Sequence, residues 1–253
     1  MFLITAALTE ELRVALDLCS GPARVTFGTS RLWQGTYRGA TVYLLKTGIG
    51  PLRAGKRLEC LLASFRPTQI LVIGYAGALD PSLKPGDLVV GKKACIFGIQ
   101  PDKSLPIERL ELGGCWEMAD HGKMGDLARA AGLPFQCGSI LTSPHIIGAP
   151  RQKRMLHLRF QALAIDMETA ALAQVAGAAG VPLSCVRAVS DASEDEFLAP
   201  FSYDPDSSLM VQAAKVVAAG NWIGRCQDWR RQAGMARASL RVFLETYYQN
   251  MPA

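Results

Sequence analysis

The sequence predicts an α/β protein with a largely parallel, buried sheet. Short apolar runs without alternation, Ala162–Met167 and Leu183–Val189 among them, suit strands covered on both faces. Between these two lies an alanine-rich segment, Thr169–Ala179, and alanine is the strongest helix former. Gly180-Val181-Pro182 supplies a helix stop, so the unit reads as strand, crossover helix, parallel strand. Composition agrees. Of 253 residues, 49% are hydrophobic and 19% charged, enough to bury one large core and too apolar for a disordered chain. Each apolar run ends in a carboxylate, Glu168 after the first and Asp191 after the second. Open parallel sheets bind ligands beyond the carboxyl ends of their strands, so two acids there, one strand apart, mark a pocket.

Taken in order, Phe2–Leu8 reads as a buried strand, and Thr9-Glu10-Glu11 opens a helix to about Leu18. Thr9 suits the N-cap and the two acids suit the positive helix end. Val25–Trp33 and Thr41–Lys46 read as paired strands turning around Arg38-Gly39. A helix follows from Pro51 to about Phe65. Its entry, Gly50-Pro51-Leu52-Arg53-Ala54-Gly55-Lys56, fits most of a nucleotide-binding P-loop, but Arg57 stands where magnesium needs Ser or Thr. Gln69–Gly74 is a buried strand that runs into Tyr75-Ala76-Gly77-Ala78-Leu79, whose small residues allow close backbone approach or a tight turn. Ala94–Lys123 has no clear period, with Gln100–Leu105 loop-like; Asp126–Ala131 is a short helix and Gly138–Leu141 a strand. His145 lies in the loop after it. Arg187, on the strand that leads to Asp191, would need a buried carboxylate partner. Ser207–Ala219 reads as an apolar helix. Asn221–Tyr247 is longer, with Arg225, Arg230, Arg231, Arg237 and Arg241 opposite an apolar side that includes Met235, Leu240, Phe243 and Leu244. Such a helix docks on its own domain or touches a membrane surface.

The net charge of +5 tolerates an anionic ligand and does not call for nucleic acid. Seven scattered cysteines without a Cys-x-x-Cys pair suit reduced thiols in a cytoplasmic protein. No apolar run approaches the roughly 20 residues that span a bilayer, and Met1–Leu8 leads into Glu10-Glu11 rather than a secretory cleavage site. His121 and His157 lack partners at metal-ligand spacing.

The blocks Ile165-Asp166-Met167-Glu168 and Arg187-Ala188-Val189-Ser190-Asp191 resemble the purine nucleoside phosphorylase and nucleosidase superfamily, and most of all its methylthioadenosine/S-adenosylhomocysteine nucleosidase branch. The resemblance covers the chain to about Ala219 and is poor from Ala94 to Gly138. It implies a three-layer domain with a central mixed, mostly parallel sheet flanked by helices; a single domain over residues 1–253 is expected, with the basic amphipathic helix at 221–247 read from its own pattern as an extension. It implies that Glu168 holds the ribose hydroxyls, that Asp191 protonates the purine at N7, and that Glu11, or Glu10 beside it, activates the attacking water. By the same resemblance Gly48–Gly50 approaches the ribose with Ile49 as apolar contact. His145 stacks on the purine, Ile146 meets the base edge, and Leu198–Tyr203 lines the substrate tail. Met167, Gly77, Ser190 and Arg187 complete the expected binding set. The family's phosphorylases have a small hydroxyl where this chain has Tyr75, which disfavours a phosphate site even though Arg53 lies nearby. The long arginine-rich tail resembles the hopanoid-associated branch, which releases adenine from adenosylhopane. The superfamily also implies a homo-oligomer.

The chemistry needs few groups. A purine leaves easily only as a neutral base, so Asp191 has to carry a proton, which burial favours. The sugar then gains oxocarbenium character, as in glycoside hydrolysis, while Glu168 fixes its ring and Glu11 deprotonates water on the other face. No metal or organic cofactor is required, and the co-substrate is water or phosphate. An aspartate rather than an asparagine after Ser190 resembles the members that take 6-aminopurines, so the expected product is adenine. Two other classes stay open at the level of sequence: a non-catalytic nucleoside-binding protein and a P-loop nucleotide-binding protein.

Overall fold

The structure, a computed structural model, describes residues 1–97, 111–196 and 222–251. The elements in order are β1 (Phe2–Ala6), α1 (Thr9–Leu16), β2 (Ser20–Phe27), β3 (Ser30–Tyr37), β4 (Ala40–Lys46), α2 (Pro51–Leu62) and β5 (Gln69–Ala78). Then come β6 (Leu88–Phe97), β7 (Leu112–Glu117), α3 (His121–Ala130), β8 (Phe135–Thr142), α4 (Pro150–Phe160), β9 (Ala164–Asp166), α5 (Thr169–Ala178), β10 (Leu183–Asp191) and α6 (Trp222–Gln249). The expected helix at Ser207–Ala219, the loops at Gln100–Leu105 and Leu198–Tyr203, and the side chain of Arg225 lie outside the described residues.

Five strands close on themselves. β5 pairs parallel with β10, β10 antiparallel with β6, β6 parallel with β8, β8 parallel with β9, and β9 antiparallel with β5. From β5 the sheet also extends outward through parallel β1 and β4 to the antiparallel β3 and β2. The sheet is mixed, as expected. One expectation inside it fails: β9 and β10 are not a parallel pair. Both flank β5, with Ile165 and Asp191 each opposite Gly77, and they run in opposite directions.

Helices cover both faces. Ile70 and Val72 of β5 pack into one core with Leu58 and Leu61 of α2 and Ala170 and Leu172 of α5. Leu71 and Ile73 pack into the other, with Leu12 of α1, Leu127 of α3 and Phe243 of α6. This double covering is why the strands read as unbroken apolar runs. In α6, Ala236, Leu240, Phe243 and Leu244 are fully buried, and Tyr248 stacks on Tyr37 at 4.8 Å. Met235, expected on its apolar side, is exposed, and Arg237 reaches Asp17 at 3.7 Å.

Other local expectations also change. Val25–Trp33 is the end of one strand, a turn at Gly28-Thr29, and the start of the next; Gly28 takes φ +55°. Helix α4 had no clear sequence signal except Pro150, which suits a first helical turn. Thr9 does not cap α1. Its hydroxyl accepts from Lys46 Nζ at 2.8 Å, and the Glu11 carboxylate takes the Leu8 N–H at 2.7 Å instead. Cys95 and Cys115, expected as free thiols, are bonded as a disulfide because the β6–β7 register sets them directly opposite. Among the described residues no helix is long and apolar enough to cross a membrane.

Candidate active site

A cavity of 350 Å³, the size of a small-molecule site, opens where β9 and β10 meet β5. Glu11, Ile49, Gly77, His145, Ile146, Met167, Glu168, Ser190 and Asp191 all line it. The chain thus brings one acid from α1, one from the β9–α5 junction and one from the end of β10 to a single rim. Arg187 is the exception. It is 1% exposed, does not line the cavity, and sits beneath the acids. Its Nη2 lies 2.6 Å from Asp166 and 3.6 Å from Glu168, while Nε and Nη2 donate to Thr169 Oγ1 at 3.1 and 2.8 Å. Arg187 therefore anchors the acids rather than lining the binding surface.

The backbone makes room for this crowding. A Cβ at Gly74, which takes φ +151°, would overlap the Arg187 guanidinium and the Glu11 carboxylate. A Cβ at Gly77 would stand 2.9 Å from Asp191 Oδ2. Glu11 is held by its Oε2 accepting from Leu8 N at 2.7 Å and its Oε1 from Tyr75 N at 2.9 Å. Burial pushes the Glu11 carboxyl above the usual carboxylate range, with Arg187 pulling it back. Glu168 Oε1 accepts from Gly50 N at 2.9 Å. Burial, reinforced by Asp166 and Glu11 and opposed by Arg187, pushes Glu168 up to about 8. Tyr75 also lines the cavity, and burial with the neighbouring Glu11 and Glu10 pushes its phenol up to about 12, so it stays neutral.

The Glu168 shift has a consequence for stability. A carboxyl raised above its unfolded value binds more protons in the folded state. Its contribution is fully present below about pH 4.5 and is lost as pH rises through about 8. Glu168→Gln, which mimics the protonated acid and keeps an acceptor for Gly50 N–H, is expected to flatten the fall in melting temperature between pH 5 and 8. Equal pH slopes in parent and variant melts would contradict the burial argument.

Sequence reasoning missed two charged groups here. Asp166 is buried at the centre of the acid cluster. Its Oδ1 accepts from Thr142 Oγ1 at 2.7 Å and from the Glu168 and Thr169 amides at 3.3 Å, and Thr169 Oγ1 makes a short hydrogen bond to Oδ2. Lys153, on the unforeseen α4, is fully buried against Asp191, with Nζ 2.5 Å from Oδ2. Ser190 Oγ donates to the other oxygen, Oδ1, at 2.7 Å. Asp166 had a signal, two acids in one Asp-Met-Glu block; Lys153 had none without its helix.

The P-loop-like segment serves a different purpose. The Gly50 N–H is used by Glu168, and Arg53 and Lys56 line a separate cavity of 510 Å³ with Arg31 and Arg57. Arg53 is thus not part of the acid-lined cavity.

Comparison with known proteins extends this picture. Residues 2–219 match the model of the phosphorylase superfamily. A 5′-methylthioadenosine/S-adenosylhomocysteine nucleosidase of Halalkalibacterium halodurans is 30% identical over 233 residues, which is 85% of this chain and 95% of that protein. The nucleosidase of that name from Neisseria meningitidis, solved with methylthio-immucillin-A, superposes with a TM-score of 0.74 at 18% identity, over 98% of each chain. A putative one from Borrelia burgdorferi, bound to adenine, gives 0.70 at 18% identity, over 97% of this chain and 99% of that one. Fold and relatives together define an enzyme that cleaves nucleosides. The chain belongs to the phosphorylase superfamily.

Proposed function

We propose that the protein hydrolyses the N-glycosidic bond of a 5′-substituted adenosine and releases adenine. The observation that carries this is the meeting of Glu11, Glu168 and Asp191 around one cavity. Asp191 protonates N7 as the base departs. Glu168 grips the ribose hydroxyls, and Glu11, made more basic by burial, removes a proton from water. His145 and Ile146 meet the base, and Ile49 and Met167 give the sugar apolar contacts. The named activity of the H. halodurans relative and the adenine bound to the B. burgdorferi protein support the choice of substrate class.

Water as nucleophile is favoured over phosphate. Among the described residues that line the cavity none is Lys or Arg, whereas four cations gather in the other cavity. A dianion at the Glu11 end would sit against buried acids. Adenine release from a panel of adenosines differing at the 5′ position, adenosylhopane included, is expected to run at an unchanged rate in phosphate-free buffer. A rate that needs added phosphate would replace hydrolysis with phosphorolysis. The reading includes a homo-oligomer.

A further inference from the structure

Lys153 poses a problem that the catalytic reading does not solve. The acid that gives N7 a proton has to hold one, yet Asp191 is paired with a buried ammonium. Lys153 is 0% exposed, and its Nζ donates to three acceptors: Asp191 Oδ2 at 2.5 Å, the Ala192 carbonyl at 2.8 Å and the Asp195 carbonyl at 3.1 Å. These satisfy all three N–H groups of the ammonium. They satisfy the neutral amine equally well. Its two N–H groups keep the two carbonyls, and its lone pair accepts from Asp191 Oδ2–H. The proton has two resting places along one short contact, and no side chain turns when it moves.

We propose that Lys153 is the proton reservoir for Asp191 and so sets when the base can leave. This rests on the glycosidic reading above. A proton passes from Lys153 Nζ to the Asp191 carboxylate, and from Asp191 to purine N7 as the C1′–N9 bond breaks. The bonding pair goes to the purine, which departs neutral. Water adds to C1′ and loses its proton to Glu11, which returns it to solvent. Once the base has gone, the Lys153 amine regains a proton from solvent, and the ledger closes as nucleoside plus water giving adenine plus sugar.

Among the described residues, the charged neighbours on the loop after Asp191 and on α4 have other partners. The Asp195 carboxylate accepts from Ala192 N at 2.8 Å and from Gln232 Nε2 of α6 at 2.9 Å. Glu194 pairs with Arg154 of α4 at 3.1 Å, exposed to solvent. Leu156 of α4 packs on apolar Leu79, Leu141 and Ile165. Glu168 faces Gly50 and Arg187. Among the described residues Lys153 is the cation paired with Asp191.

Two substitutions separate a reservoir from a mere prop. Lys153→Arg keeps the charge and the donors, but a guanidinium does not give up its proton. Lys153→Met keeps the length and removes from Asp191 the proton source that Nζ offers. The expected result for the arginine variant is a kcat at least a hundredfold below the parent, with KM within threefold. For the methionine variant, the alkaline limb of the kcat–pH profile moves at least one pH unit to lower pH. Melting curves and binding of an uncleavable adenosine analogue establish that each variant is folded. A folded arginine variant with near-parent kcat overturns the proposal, as does a methionine variant whose pH profile superimposes on the parent's. If the arginine variant does not fold, the methionine profile decides alone. An active parent with either overturning result removes the reservoir only; a parent that releases no adenine from any adenosine removes the glycosidic reading itself.

Discussion

Asp191→Asn is expected to lower adenine release about a thousandfold, within the range of a lost general acid. The amide cannot give N7 a proton, so the base would have to leave as an anion. The surroundings of Asp191 say how to read the loss. Its Oδ2 faces Lys153 and its Oδ1 accepts from Ser190 Oγ. An asparagine turned with its carbonyl toward Lys153 keeps that hydrogen bond but removes the counter-charge of a buried cation, and such losses are strongly destabilising. A lower melting temperature is therefore expected together with the loss of rate. The decisive measurement is turnover at a temperature where analogue binding shows the variant to be folded. A folded variant retaining a tenth of the parent rate would end the general-acid assignment.

Glu11→Gln is expected to cost kcat two to four orders of magnitude, with KM little changed, because a general base acts on water rather than on nucleoside affinity. Glu11 accepts from two backbone amides, Leu8 N and Tyr75 N. Glutamine has one acceptor oxygen, so one amide then faces an NH2 group, at about 1–3 kcal/mol of stability for a buried unsatisfied donor. The pH profile supplies an independent reading. Burial raises Glu11, so the acid limb of parent kcat should lie above the ordinary carboxylate range. That limb should vanish in the glutamine variant. An unchanged acid limb would assign it, and the base, to another group.

The acids at the ends of apolar runs were legible in the sequence because a strand buried on both faces shows itself without alternation. Glu168 and Asp191 were found that way, and both open into the cavity. Their shared partner was half legible. Arg187 sits on the strand before Asp191, but only the packed sheet shows that it lies under the acids and also holds Asp166. The direction of β9 was not legible. A helix between two strands predicts a parallel pair, and here β5 takes the place between them. Lys153 was missed because α4 has no strong apolar stripe, and an interior lysine looks like any surface lysine until its three acceptors arrive from residues 191–195. The Cys95–Cys115 pair needed the β6–β7 register, which no spacing of cysteines reveals.

The closed circuit of β5, β10, β6, β8 and β9 has a consequence for how specificity can change over evolution. Both the β9–α5 junction and the end of β10 are stitched to the same few residues of β5, so the groups assigned to ribose and base cannot drift apart singly. Room for a bulkier 5′ group would then have to be made by residues outside these five strands, in the connecting segments that complete the rim.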